Sequence, residues 1–272
     1  MRTLRAKRRM ESEEIEARVR TLVPAIYDDG GVEPVSMGSA GLKFGADGRV
    51  AWDEIWGSFC DLAMAGGPPH RGTILEPGGR VEIAEQGGRY REVVAEICRG
   101  IGMVTGLHAE PSEDAGWVKM YCTSAAMAGW LARAIVMENV CARYKGLALY
   151  LPAGPAYRLE KEIKNVVTAV AKTTHYWMEH TSEEQQQAIA DVLRAMAKEG
   201  EVVQPGSVAG EWMGRECGSV GAAIVQMKAM VACHVLARRE GTVVFAATGD
   251  GTEWERAAVE AAFARTEGLG GA

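Results

Sequence analysis

Three groups of residues in this 272-residue chain have types and spacings that could do chemistry. The first is the loop Gly66-Gly67-Pro68-Pro69-His70-Arg71-Gly72. Two prolines stiffen it, and its glycines permit dihedrals or close approaches that other residues resist. An imidazole beside a guanidinium pairs a proton-transfer group with an anion clamp. This assigns His70 to acid–base catalysis and Arg71 to ligand binding. The plain alternative is a Pro-Gly surface turn.

The second group is Lys164, Thr168, Lys172, His175 and Glu179. Spacings of 4, 4, 3 and 4 place them on one helix face. Lys164 and Lys172 could hold a phosphate or carboxylate, and His175 could transfer a proton. His175 and Glu179 could also share a metal, with His180 about 100° further round the helix. The plain alternative is the solvated side of an amphipathic helix with Ile163, Val166, Val167, Val170 and Trp177 on its apolar side.

The third group is a pair of turns, Cys122-Thr123-Ser124 and Cys217-Gly218-Ser219. A strand end leading into a helix N-terminus presents free amides and a favourable dipole to an anion. Ser124 and Ser219 are therefore candidate ligand contacts. Cys122 and Cys217 are candidate nucleophiles, because a thiol at such a place ionises more easily. The plain alternative is a buried small residue followed by an N-cap.

These turns belong to two segments that superpose at an offset of 95 residues. Between 117 and 146, ten of thirty positions are identical: Trp117/Trp212, Cys122/Cys217, Ser124/Ser219, Ala128/Ala223, Ala134/Ala229, Val136/Val231, Val140/Val235, Ala142/Ala237, Arg143/Arg238 and Gly146/Gly241. Unrelated segments of ordinary composition would share roughly two. Arg133/Lys228 is a like-charge match. Glu138-Asn139 faces Cys233-His234, so any role there is asymmetric, and helix surface is its plain reading.

Each segment reads as helix, strand, helix, strand. Helices are expected at 90–104 and 183–198. Short strands follow, ending at Cys122 and Cys217. Helices of about twenty residues should then run from the serine caps to Gly146 and Gly241 as C′ stops. Second strands are expected at 147–151 and 242–247. Strand, crossover helix and strand predict parallel, right-handed βαβ units. The expected fold is thus α/β, an internally duplicated βαβ-containing repeat with helices packed on a mixed or parallel sheet and pseudo-two-fold symmetry. Helices are also expected at 13–26, 52–64, 158–180 and 252–266, with a strand-like segment near 35–45. The divisions are a basic tip and N-terminal helix (1–33), a first repeat with an inserted Gly/Pro loop at 65–88 (34–155), and a second repeat with a C-terminal helix (156–272). The copies are expected to interlock.

Composition bounds the function. Hydrophobic residues make up 47% and charged residues 24%, as in ordinary globular chains. Net charge is −6, and the first ten residues carry five basic groups and no acid, which leaves −11 for the remaining 262. Such a body argues against nucleic acid and anionic membranes as partners. No apolar leader is visible, and the apolar stretch 125–136 is short and interrupted by Arg133, so no membrane span is expected. Six cysteines without CxxC spacing point to reduced thiols and a cytoplasmic setting. No GxGxxG or GxxxxGK[ST] fingerprint accompanies the turns, so a nucleotide is not specifically implied and the sequence leaves the cofactor unknown. No metal-ligating residue is assigned. A metalloprotein would have to gather Cys60, His70, Cys122, His175, His180 and Cys217 by folding alone. The sequence therefore favours a cytoplasmic enzyme acting on a small anionic metabolite or cofactor precursor. A non-catalytic ligand-binding protein or homo-oligomeric scaffold is the alternative.

Overall fold

A computed structural model describes residues 2–23, 41–55, 73–207, 210–267 and 269, with side chains from residue 11. His70, Arg71 and Cys60 lie outside the described residues, as does most of the expected helix at 52–64. Its first turn, 52–55, is helical. Of the strand-like segment near 35–45, residues 41–45 are described, and Phe44 bridges Val50.

Helix α1 (Arg2–Leu22) begins eleven residues earlier than expected. The expected loop at 65–88 instead contains, in its described part, α2 (Arg80–Glu85) and the start of α3 (Gly87–Thr105). The first unit follows: β1 (Ala109–Pro111), β2 (Trp117–Tyr121), α4 (Ala125–Met137), β3 (Arg143–Lys145) and β4 (Ala148–Pro152). A π-helical turn, Leu159–Ile163, runs into α5 (Lys164–Glu179), and α6 is Glu183–Glu199. The second unit is β5 (Trp212–Glu216), α7 (Val220–Ala232), β6 (Ala237–Glu240) and β7 (Val243–Ala247), followed by α8 (Glu253–Thr266). Capping boxes start α6 (Ser182/Gln185) and α8 (Thr252/Glu255), satisfying amides that the helices leave free.

The expected parallel βαβ units are not formed. The chain makes two antiparallel sheets, ordered β1-β2-β4-β3 and β5-β7-β6. The cause is one extra strand per unit. Helix α4 spans 13 residues rather than about twenty. It ends where Asn139 takes φ 59°, and α7 ends likewise at His234, φ 63°. Asn and His are among the few non-glycine residues enriched in this left-handed region. The chain then forms β3 or β6, which reverses direction before β4 or β7. Gly146 and Gly241 are therefore not helix stops. They occupy the first central position of a two-residue hairpin turn, with φ 59° and 57°. Among the described residues, parallel pairing survives as two isolated bridges, Leu75 with Val140 and Val203 with Val235.

No atom crowds the missing Cβ at either turn glycine. The penalty for alanine is thus purely the left-handed backbone. Gly146→Ala and Gly241→Ala should each lower unfolding free energy by roughly 1–2 kcal/mol. Urea melts with an unchanged slope would report it.

Apart from β1, which has no counterpart in the second sheet, the elements of the two units coincide at the 95-residue offset, including register: Trp117 faces Pro152, and Trp212 faces Ala247. Each unit also holds an arginine between two aromatic rings. Arg143 lies over Trp117 and Tyr150, and Arg238 over Trp212 and Phe245. The units grip one another by crossed hydrogen bonds. Asn139 Nδ2 donates to the Arg239 carbonyl at 3.0 Å, and the Gln204 side chain receives the Tyr144 amide at 2.9 Å. The Trp212 indole donates to Glu76 Oε1, and the Trp117 indole to the Ser207 carbonyl. Two of these four contacts use similar segments, Leu75-Glu76-Pro77-Gly78 and Val203-Gln204-Pro205-Gly206.

One core runs through both units. At its centre Trp130 of α4 packs against Tyr176 and Trp177 of α5, and its indole donates to the Leu22 carbonyl at the end of α1. No helix among the described residues is long and apolar enough to cross a membrane.

Candidate functional site

The lysine stripe of α5 is not a surface. Residues 163–174 are all buried, because α5 packs between α3 and α4. Lys164 is 3% exposed and Lys172 is 4% exposed. Lys172 Nζ donates to Glu138 Oε1 at 2.6 Å, an ion pair with both side chains inside the protein. Glu138 caps the C-terminus of α4, where the helix dipole disfavours an anion. Lys172 offsets that penalty. Thr168 and Thr173 tolerate burial by donating back to carbonyls four residues earlier. This stripe is therefore neither a solvated face nor an open anion clamp, and 138–139 is not helix surface.

Ser124 and Ser219 are N-caps. Their Oγ atoms accept from the Met127 amide at 3.0 Å and the Ala222 amide at 3.1 Å. In the second turn the chain supplies its own anion: Glu216 Oε1 receives the Cys217 and Gly218 amides at 3.1 and 2.8 Å. The Gly218 amide foremost, then the Thr242 hydroxyl and the Cys217 amide, hold the Glu216 carboxyl below its usual range. Burial pushes the Cys122 thiol up to about 12 and also raises that of Cys217. Expected activation runs the other way, so neither thiol is poised as a nucleophile.

Among the described residues the sequence candidates line no common cleft. His175 sits near the end of α5 with its Nε2 against His180. Neither of the two clefts described below is lined by Ser124, Ser219, Cys122, Cys217, Lys164 or Lys172.

The cleft with the more unusual chemistry measures about 360 Å³ and lies where the units meet. Helix α4 contributes Arg133, β3 contributes Tyr144, α6 contributes Leu193 and Met196, and the following segment contributes Glu201 and Gln204. His234, at the left-handed corner after α7, completes it.

Arg133 is the feature that sets this cleft apart. It is 2% exposed. Its Nη1 donates to the Gly129 carbonyl at 2.7 Å and lies 3.4 Å from the Tyr144 hydroxyl. Its Nε is buried with no hydrogen-bond partner. Among the described residues no carboxylate forms an ion pair with it. The one carboxylate in the lining, Glu201, is exposed at the rim.

His234 is half-buried. Desolvation holds it below the ordinary histidine value, and the charges of Arg133 and Arg18 act in the same direction. Glu199, 3.4 Å from Nε2, acts against them. His234 is therefore neutral near pH 7. The unfolded chain takes up a proton at about 6.5, before the folded one does. Stability is thus lost as pH falls from 7 toward 5. His234→Asn keeps the left-handed corner, since Asn139 occupies the matching place in the first unit. Thermal melts from pH 7 to pH 5 should fall less steeply in this variant.

Sequence reasoning missed Arg133, Tyr144, Gln204 and His234 as a group. The available signal was Arg133, a charge in the middle of an otherwise apolar helix. Comparisons with protein-family models, curated proteins and solved structures find no match in any of the three.

Proposed function

We propose that the protein binds a small anionic ligand in the Arg133 cleft. The carrying observation is a buried guanidinium that opens onto a cavity and meets a carbonyl and a phenol instead of a carboxylate. A guanidinium stays charged in proteins. Holding it out of water without a counter-ion costs several kcal/mol. An anion from solution supplies the missing partner, and its bidentate fit to phosphate or carboxylate is favourable. The cavity is of metabolite size. This keeps the ligand class expected from sequence and moves it away from the helix N-termini.

We read the two β-α-β-β units as copies of one ancestral unit. The 95-residue identities, the shared register, the paired left-handed corners and the sandwiched arginines support that reading. Asn139 and His234 then occupy matching left-handed corners of the two copies, and only His234 lines the cleft.

A catalytic role has one observation in its favour. His234 is a neutral imidazole beside Arg133, so it could accept a proton from a bound anion. Among the described residues acid–base work is thus assigned to His234 in place of His175, while His70 lies outside them. Turnover of a bound compound, lost in His234→Asn while binding persists, would support an enzyme. Binding without turnover leaves a ligand-binding protein.

A thermal-shift panel of inorganic phosphate, sulfate and small mono- and dicarboxylates, at constant ionic strength, tests the proposal. A saturating ligand at a hundred times its Kd adds about 2.7 kcal/mol to stability. At least one anion should raise the melting temperature in a concentration-dependent way. An unresponsive protein that forms a stable oligomer by light scattering would point to the scaffold alternative.

A further inference from the structure

We infer a second, independent site, for a borderline divalent cation, at the C-terminal end of α5. His175 Nε2 and His180 Nε2 face one another at 3.2 Å. Two imidazoles on a tetrahedral zinc ion, with Zn–N near 2.0–2.1 Å, hold their nitrogens about 3.4 Å apart. The pair is thus already at ligand spacing. The rings meet edge to face, with centroids 5.0 Å apart.

The outer groups fit the same role. His175 Nδ1 lies 3.4 Å from Glu179 Oε1. At that ion-pair distance a carboxylate favours a proton on Nδ1 and a lone pair on Nε2, the arrangement typical of metal-bound histidine. His180 is the C-cap of α5, so the site lies at the negative end of the helix dipole. Arg20 lines the adjoining cleft of about 400 Å³ with His180, and its charge works against cation binding. The described residues hold no group of three or more His, Cys, Asp or Glu suited to a metal. Water therefore fills the other coordination positions, and the imidazole pair selects zinc, nickel or copper over magnesium or calcium.

Without metal, one Nε2–H donates to the other Nε2. Metal binding requires the donor ring to move that proton from Nε2 to its own Nδ1 through solvent, and the neutral pair then ligates through both Nε2 lone pairs.

Calorimetric titration of the reduced full chain with Zn2+ tests the inference. Wild type should show one site that His180→Ala and His175→Ala each weaken at least tenfold, with Glu179→Gln weakening it less. Copper(II) bound to wild type should show hyperfine coupling to two nitrogens by electron paramagnetic resonance. Zinc affinity unchanged in both histidine variants, or no zinc binding by wild type, would overturn it. Circular dichroism of the variants, both of which alter residues at a helix end, verifies that they are folded. Phosphate binding in the Arg133 cleft should be unaffected by these substitutions, so the two sites fail separately.

Discussion

Lys172→Ala should destabilise the protein by about 3–5 kcal/mol, the cost of leaving a buried charge without its partner. The pair in question is Lys172 with Glu138, 2.6 Å apart, both inside the protein. Glu138 sits at the wrong end of a helix for an anion, so losing Lys172 exposes it to the α4 dipole as well as to the apolar surroundings. The alanine also removes packing between α4 and α5. The control is the double change Lys172→Met with Glu138→Gln. It removes both charges and keeps volume, so its cost should be far below that of Lys172→Ala. Urea unfolding of the single and double variants measures the difference. Equal losses in both would mean that loss of the ion pair itself, rather than a stranded charge, sets the penalty.

The second large effect concerns Arg133, and its sign is opposite for stability and binding. Arg133→Met keeps a long side chain in α4 and removes an uncompensated charge. Stability should be unchanged or raised by about 1–4 kcal/mol, the range found when buried charged groups give way to apolar ones. Anion binding should be lost. A structural arginine would behave differently: its removal would lower stability and leave anion responses as they were. The cleft thus gives up folding free energy to keep a charge available, a pattern that fits binding sites better than cores.

Local signals in the sequence carried much of the fold. The capping serines, the helix at 183–199 and the strands flanking the serine caps were all legible, because each depends on residues within a few positions. The hairpin was not. Arg143-Tyr144-Lys145 is too short and polar to announce a strand, and Gly146 suits a helix stop as well as a hairpin turn. One unrecognised strand then reversed every later direction and turned expected parallel sheets into antiparallel ones. The sequence pattern also placed Lys164 and Lys172 on a polar face. It did not reveal that α3 and α4 would cover that face, since burial of α5 is a tertiary outcome.

The candidate site was less legible still. Arg133, Tyr144, Gln204 and His234 come from four separate segments, and no spacing rule links them. Two of them carry local marks. Arg133 interrupts an apolar helix, and His234 aligns with Asn139 at a helix exit. Only the crossing of the two units gives those marks a shared location.

The central claim is that Arg133 is held buried for an anion. It is tested most directly by calorimetric titration of wild type and Arg133→Met with inorganic phosphate at pH 6.5 and constant ionic strength. Wild type should show saturable one-site binding and the variant none, with the variant's fold and stability retained. Equal binding by both proteins, or no phosphate binding by wild type, would contradict it.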